Sequence, residues 1–217
     1  MRDEDLTLFI EELGEPTQNQ AISDNELALY KGVLPDKLIE YWQEVGWSGF
    51  AEGLFWLVNP ADYDHLVEIW LEDTIFQKID RYRAIGRNAF GKLYLLGERT
   101  NQTITLNCPM HAVIAIESKI RKIEKDPTSA VQSFFMGADK GKFDINDIND
   151  KPLFPQALKK LGPLESDEVY GFEPALIAGG NLSVDNLAIL NLDIHLTILR
   201  QMAPPRVPFA GVNVDLD

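Results

Sequence analysis

Residues 34–71 read LPDKLIEYWQEVGWSGFAEGLFWLVNPADYDHLVEIWL, and this stretch holds all four tryptophans of a 217-residue chain, Trp42, Trp47, Trp56 and Trp70. Pro35 suits the first turn of a helix, where its missing N–H costs nothing, and Leu38, Ile39, Trp42 and Val45 then share one face before Gly46 ends the run. A turn rich in glycine (Gly46, Gly49, Gly53) leads into Leu54-Phe55-Trp56-Leu57-Val58, too short for a helix of its own and better read as a buried strand. Asn59 and Pro60 supply the N-cap and first residue of a second helix. Its Tyr63, Leu66, Val67, Trp70 and Leu71 recur at spacings of three and four, an apolar stripe expected to face the same core as the first helix. On the opposite face Asp64, Glu68 and Glu72 stand four residues apart, so like charges stack at a cost of roughly 0.2–0.5 kcal/mol per pair.

Upstream, Leu6, Phe9, Ile10 and Leu13 pattern a short helix stopped by Gly14 and Pro16, and Ser23 with Glu26 forms a capping-box pair ahead of Leu27, Leu29 and Tyr30. Downstream, apolar and β-branched residues cluster at 82–85, 92–96, 103–106 and 112–116, separated by turns, which predicts strands too closely spaced for anything but antiparallel neighbours. Ile104 and Leu106 alternate with Thr103 and Thr105, the pattern of a sheet with one face covered and one wet. The expected class is α+β: an antiparallel meander that includes the Trp56 strand, covered by helices, followed by a smaller, mainly helical unit.

That second unit opens after a charged passage at 118–126, expected as a linker or helix. Asp126 and Pro127 start a helix that runs through Phe134 and Phe135. A loop at 139–151 offers Phe143, Ile145 and Ile148 as anchors, and helices are expected from Pro155 to Leu161 and from Leu192 to Met202. The resulting division is 1–118, 126–203 and an extended tail, 204–217.

Lys and Arg number 20 against 34 Asp and Glu, a net charge of -14. Such a chain repels phosphate backbones and anionic membranes and steers basic partners in. It also lacks a basic patch with interleaved aromatics, so neither direct nucleic-acid nor membrane binding is expected. Cys108 is the only cysteine, and Met1-Arg2-Asp3-Glu4-Asp5 is the opposite of a basic signal-peptide start, so the expected compartment is the reducing cytoplasm.

Chemical signatures are incomplete. The run from Gly137 to Lys142 is one residue short of a phosphate-binding loop and lacks the Ser or Thr that follows its lysine. Asp144, Asn146, Asp147, Asn149 and Asp150 offer oxygens to calcium without the glycine and terminal glutamate of a helix-loop-helix site. Cys108 and His111 are half of a zinc site, while His65 and His195 have no paired spacing. No serine carries a recognisable base. The expectation is therefore no metal, no cofactor and no catalytic residue. Among the tryptophans, helical and strand spacing assigns Trp42, Trp56 and Trp70 to the core; Trp47, in the glycine-rich turn, is the one placed to anchor a partner.

The pattern Leu34-Pro35, Tyr41-Trp42, Gly46-Trp47, Gly53-Leu54-Phe55-Trp56, Val58-Asn59-Pro60, Tyr63 and Trp70-Leu71 continues through Ala84-Ile85, Arg87, Ala89-Phe90-Gly91, Leu93-Tyr94-Leu95 and Gly97-Glu98. It resembles the GAD-like domain of bacterial type VI secretion immunity proteins. A second block, with Leu153-Phe154, Leu161-Gly162, Asp167-Glu168, Tyr170-Gly171-Phe172, Pro174-Ala175, Gly179-Gly180, Asn186-Leu187, His195-Leu196 and Ile198-Leu199, resembles the small C-terminal domain that accompanies it. The resemblance implies an immunity protein that binds a cognate secreted toxin. A nuclease fits that role, because it presents a basic substrate face that an acidic protein can occupy. Asp64, Glu68, Glu72, Asp144 and Asp147, with Trp47, are the expected partner-binding positions. The alternative is a small-ligand-binding regulatory module without catalytic activity.

Overall fold

A computed structural model describes residues 2–116 and 126–208. Seven strands, β1 (Gln18–Gln20), β2 (Trp47–Phe50), β3 (Phe55–Leu57), β4 (Tyr82–Asn88), β5 (Lys92–Gly97), β6 (Thr103–Asn107) and β7 (Ala112–Ile114), form one sheet in sequence order. Every neighbouring pair is antiparallel. The expected meander is thus present and extended by β1 and β2. Trp47 lies in strand β2, opposite Gln20, and not in a turn. Gly49 misled the reading: it pairs with Trp56, and a Cβ on it would stand 3.0 Å from the indole, so this glycine serves a close ring approach within the sheet.

Helices cover both faces of this sheet, which corrects the expectation of a single covered face. Helices α1 (Glu4–Leu13), α2 (Asp24–Ala28) and α3 (Asp36–Val45) pack on the face that carries Phe55 and Leu57. Helices α4 (Pro60–Leu71) and α5 (Phe76–Ile79) pack on the face that carries Trp56, Leu93 and Leu95. Alternation along β3 divides its side chains between the two cores. The helices before and after β3 therefore face opposite layers and not one core. The one-sided pattern survives at β6, where Ile104 and Leu106 are buried and the threonines are half-buried.

The second half begins with α6 (Pro127–Met136), capped by Asp126, and α7 (Lys140–Phe143), followed by α8 (Phe154–Leu161). A hairpin then forms from β8 (Glu168–Phe172) and β9 (Leu187–Asn191), and α9 (Leu192–Met202) follows directly. The hairpin adds a strand pair to the helical unit expected here. Within it a Cβ on Gly171 would lie 2.8 Å from His195 Nε2, so the glycine permits α9 to close over the hairpin.

Residues from both halves build each core. Phe135 of α6 packs 4.9 Å from Phe9 and 4.6 Å from Tyr41, while Phe143 stacks 4.3 Å from Phe55. On the other face Trp70 Nε1 donates to the Leu196 carbonyl at 3.1 Å and Arg200 Nε donates to the Ile69 carbonyl at 2.8 Å, so α9 is bonded along α4. Arg206 donates its N–H to the His111 carbonyl at 2.7 Å and accepts from Val113, which ties the start of the tail to β7. The expected linker, apart from Asp126, and the tail beyond residue 208 lie outside the described residues.

Candidate partner-binding surface

The acidic stripe of α4 is not the free surface its spacing suggests. Asp64 accepts a hydrogen bond from Arg83 Nη1, and Arg81 Nη2 stands 3.7 Å away. Arg83 also donates to Glu98 at 2.6 Å, so β4 places a cation between two carboxylates. Helix α4 ends at Leu71; Glu72 is its C-cap, with φ -53° and ψ 133°, off the helical stripe. Glu68 and Glu72 remain exposed, while Asp64 belongs to an internal network.

Asp144 and Asp147 likewise have local work. Asp144 Oδ1 accepts from the Ile145 N–H at 2.7 Å and the Phe154 N–H at 2.9 Å, and burial pushes its carboxyl upward. Asp147 Oδ1 accepts from the Asn149 and Lys151 N–H groups at 2.8 and 3.0 Å; the Lys151 bond foremost, then Gln156, holds its carboxyl below the usual range. These are turn-building carboxylates, and no calcium geometry is needed to account for them. Phe143 and Ile145 anchor the loop, whereas Ile148 is 69% exposed and does not. Lys142 Nζ donates back to the Gly137 carbonyl at 2.9 Å, which closes the turn that resembled a phosphate loop.

Cys108 is fully buried, and burial pushes its thiol well up. His111 Nε2 lies 2.7 Å from the Leu199 carbonyl oxygen. Among the described residues no group of three or more His, Cys, Asp or Glu side chains is placed to hold a metal ion. No helix among them is long and apolar enough to cross a membrane.

Trp47 is 4% exposed, edge-on to Trp42 at 5.9 Å, so it is not the exposed anchor expected. It does wall a cleft of about 260 Å³ with Trp56 and Tyr63. The N-termini of α4 and α9 flank this cleft, contributing Asn59, Asp62, Asn191 and Asp193, and the segment before β8 adds Ser166 and Asp167. Arg87 of β4 forms its floor. This guanidinium is fully buried, lies 4.7 Å over the Trp56 ring, and donates to the Ser166 carbonyl at 2.8 Å. Burial lowers its proton affinity, and among the described residues its Nε has no hydrogen-bond partner. Sequence reasoning assigned Arg87 no role. The available signal was a second arginine within the apolar run of β4, where a charge must be accounted for.

The family profile of the GAD-like domain matches residues 4–110, and that of the T6SS immunity protein Tdi1, C-terminal, matches residues 128–203. No curated protein matches the chain. Among solved structures, the crystal structure of Atu4351 from Agrobacterium tumefaciens is similar with a TM-score of 0.80 and 24% identity, over 92% of this chain and 90% of that one. At that identity the likeness is one of fold. The N-terminal match spans α1 to α5 and strands β1 to β6, and the C-terminal match spans α6 to α9. The chain therefore resembles the type VI secretion immunity proteins, with a GAD-like domain match followed by a Tdi1-type C-terminal domain match.

Proposed function

We propose that the protein binds a cognate type VI secretion toxin in the cytoplasm and neutralises it by association, without chemistry of its own, and that this toxin is a nuclease. The observation that carries the reading is the Tdi1-type immunity domain on a chain whose net charge is -14. A nuclease must attract phosphate, and an acidic protein competes for the same basic face by charge complementarity, which raises the association rate most at low salt. Co-expression with the toxin encoded beside its gene tests this: a stoichiometric complex in which nuclease activity falls to background at equimolar protein is expected. A complex with full residual activity, or a toxin with no action on nucleic acid, overturns it. The cleft also supports a second reading, a ligand-binding regulatory module, for which the expected sign is a small molecule retained in native mass spectra of the purified chain.

A further inference from the structure

We infer that the cleft between Trp47 and Trp56 receives a lysine- or arginine-bearing loop of the protein partner: the rim carboxylates take the cation, and the buried indole and guanidinium N–H groups take a backbone carbonyl. This rests on the toxin-binding reading and names the chemistry of the contact.

Three carboxylates meet at the mouth from separate segments: Asp62 from the first turn of α4, Asp167 from the segment before β8, and Asp193 from the first turn of α9. All three residues are exposed. Among the described residues none of them lies in an ion pair. Their hydrogen bonds are with amides: Asn59 Nδ2 reaches Asp62 at 3.4 Å and Asn191 Nδ2 reaches Asp167 at 3.3 Å. Elsewhere the same chain does place arginine between carboxylates, as Arg83 does for Asp64 and Glu98. The Asp62 carboxyl is pushed up by burial foremost and then by Glu26.

Helix dipoles account for part of this arrangement, since acids in first turns are favourable. They do not account for Asp167, which is in neither helix. Nor is the mouth an anion site. Asn59 and Asn191 already accept from the N-terminal N–H groups of Ala61 and Ile194, so those donors are taken. Arg87, the cation lining the cleft, is buried against Trp56 with its Nη groups bonded to the Asn88, Glu165 and Ser166 carbonyls, so the mouth a partner meets first is negative and only Nε at the wall is left to donate.

The second observation lies deeper. Among the described residues Trp47 Nε1 and Arg87 Nε are both donors without a hydrogen-bond partner, and both residues are more than nine-tenths buried on the cleft wall. An orphaned buried donor costs about 1–3 kcal/mol, and only an acceptor relieves it. Acceptor-seeking groups at the wall beneath cation-seeking groups at the rim match a peptide segment with a basic side chain. Either a free anion or a free cation would satisfy one tier and offend the other. The volume of about 260 Å³ holds far more than one water, whose share of the liquid is about 30 Å³.

The test uses the whole chain, labelled with nitrogen-15, and three capped tripeptides: acetyl-Gly-Arg-Gly-amide and its Gln and Glu counterparts. The arginine peptide is expected to shift the Trp47 indole N–H resonance saturably, several-fold more tightly than either counterpart, and to weaken as salt rises. The double variant Asp167→Asn, Asp193→Asn is expected to keep a folded spectrum and lose at least about five-fold in affinity. An indole resonance unmoved by the arginine peptide, an equal response to the glutamine peptide, a preference for the glutamate peptide, or an undiminished double variant each overturns the inference. Because no toxin enters this experiment, capture of a toxin by a protein whose cleft ignores the peptides would remove the cleft contact and leave the toxin reading standing.

Discussion

Arg83 and Arg87 stand four residues apart on β4 and live in opposite electrostatic worlds. Arg83 is 13% exposed and sits between Asp64 and Glu98, whereas Arg87 is fully buried, faces an indole ring and carbonyl oxygens, and forms no ion pair among the described residues. A partly solvated arginine gains modestly from its acids, while a desolvated one is retained only if every neighbour is arranged for it. The difference locates the negative charge of this face that lies outside ion pairs: Asp64 pairs with Arg83, whereas among the described residues Asp62, Asp167 and Asp193 around Arg87 form none.

The sharpest way to break the contrast is Arg87→Met. Loss of a buried side chain of this size, with the Ser166 carbonyl left without its donor, is expected to cost about 3–5 kcal/mol and to lower the urea midpoint without changing its slope. A variant as stable as the parent would mean that the guanidinium contributes nothing to the fold. Asp64→Asn should cost about 1 kcal/mol, since the pair is partly exposed at 28% and 13% and its attraction is screened. If that loss is unchanged in molar salt, the Arg83 network is more buried in solution than its exposure implies.

Glu68→Gln with Glu72→Gln should move stability by less than about 0.5 kcal/mol, because both side chains are solvated and Glu72 lies beyond the helix. A large fall in toxin affinity from this pair alone, with the fold intact, would return the partner surface to α4. The smallest effect concerns pH. Burial lowers the pKa of His195 from 6.5, so the folded state takes up this proton less readily than the unfolded chain. Stability is then expected to fall as pH drops through 6.5 toward the lowered value, and His195→Gln to flatten that part of the curve. Identical slopes in parent and variant would show that His195 is solvated.

Much of the scaffold was legible. Ser23, Asn59 and Asp126 cap the second, fourth and sixth helices, Leu192 to Met202 is a single helix, and β4 to β7 follow the clustering of apolar residues. Periodicity reports which face of an element is apolar, and not which of two layers that face meets. Tyr63 to Leu71 and Leu38 to Val45 have equivalent stripes, yet they pack on opposite sides of Phe55–Leu57. Short strands were lost for a related reason: Gln18–Gln20 is polar throughout, and Gly49 reads as part of a turn although it makes room for the Trp56 ring. Of the acidic positions, composition names the residues but not their partners. Asp64 meets Arg83 only because α4 folds back along β4, and Asp167 reaches Asp62 and Asp193 only through the hairpin.

The clasp between α4 and α9 has a consequence for how the protein is made. Trp70 waits for the Leu196 carbonyl, Ile69 for Arg200, and the sheet face of Leu93 and Leu95 for Leu196 and Leu199. At ordinary translation speeds roughly 5–20 s separate synthesis of that face from emergence of the helix that seals it. During that interval the nascent chain presents tryptophans and leucines to chaperones and proteases. A ribosome that stops early therefore yields no partial protection, only a substrate for quality control.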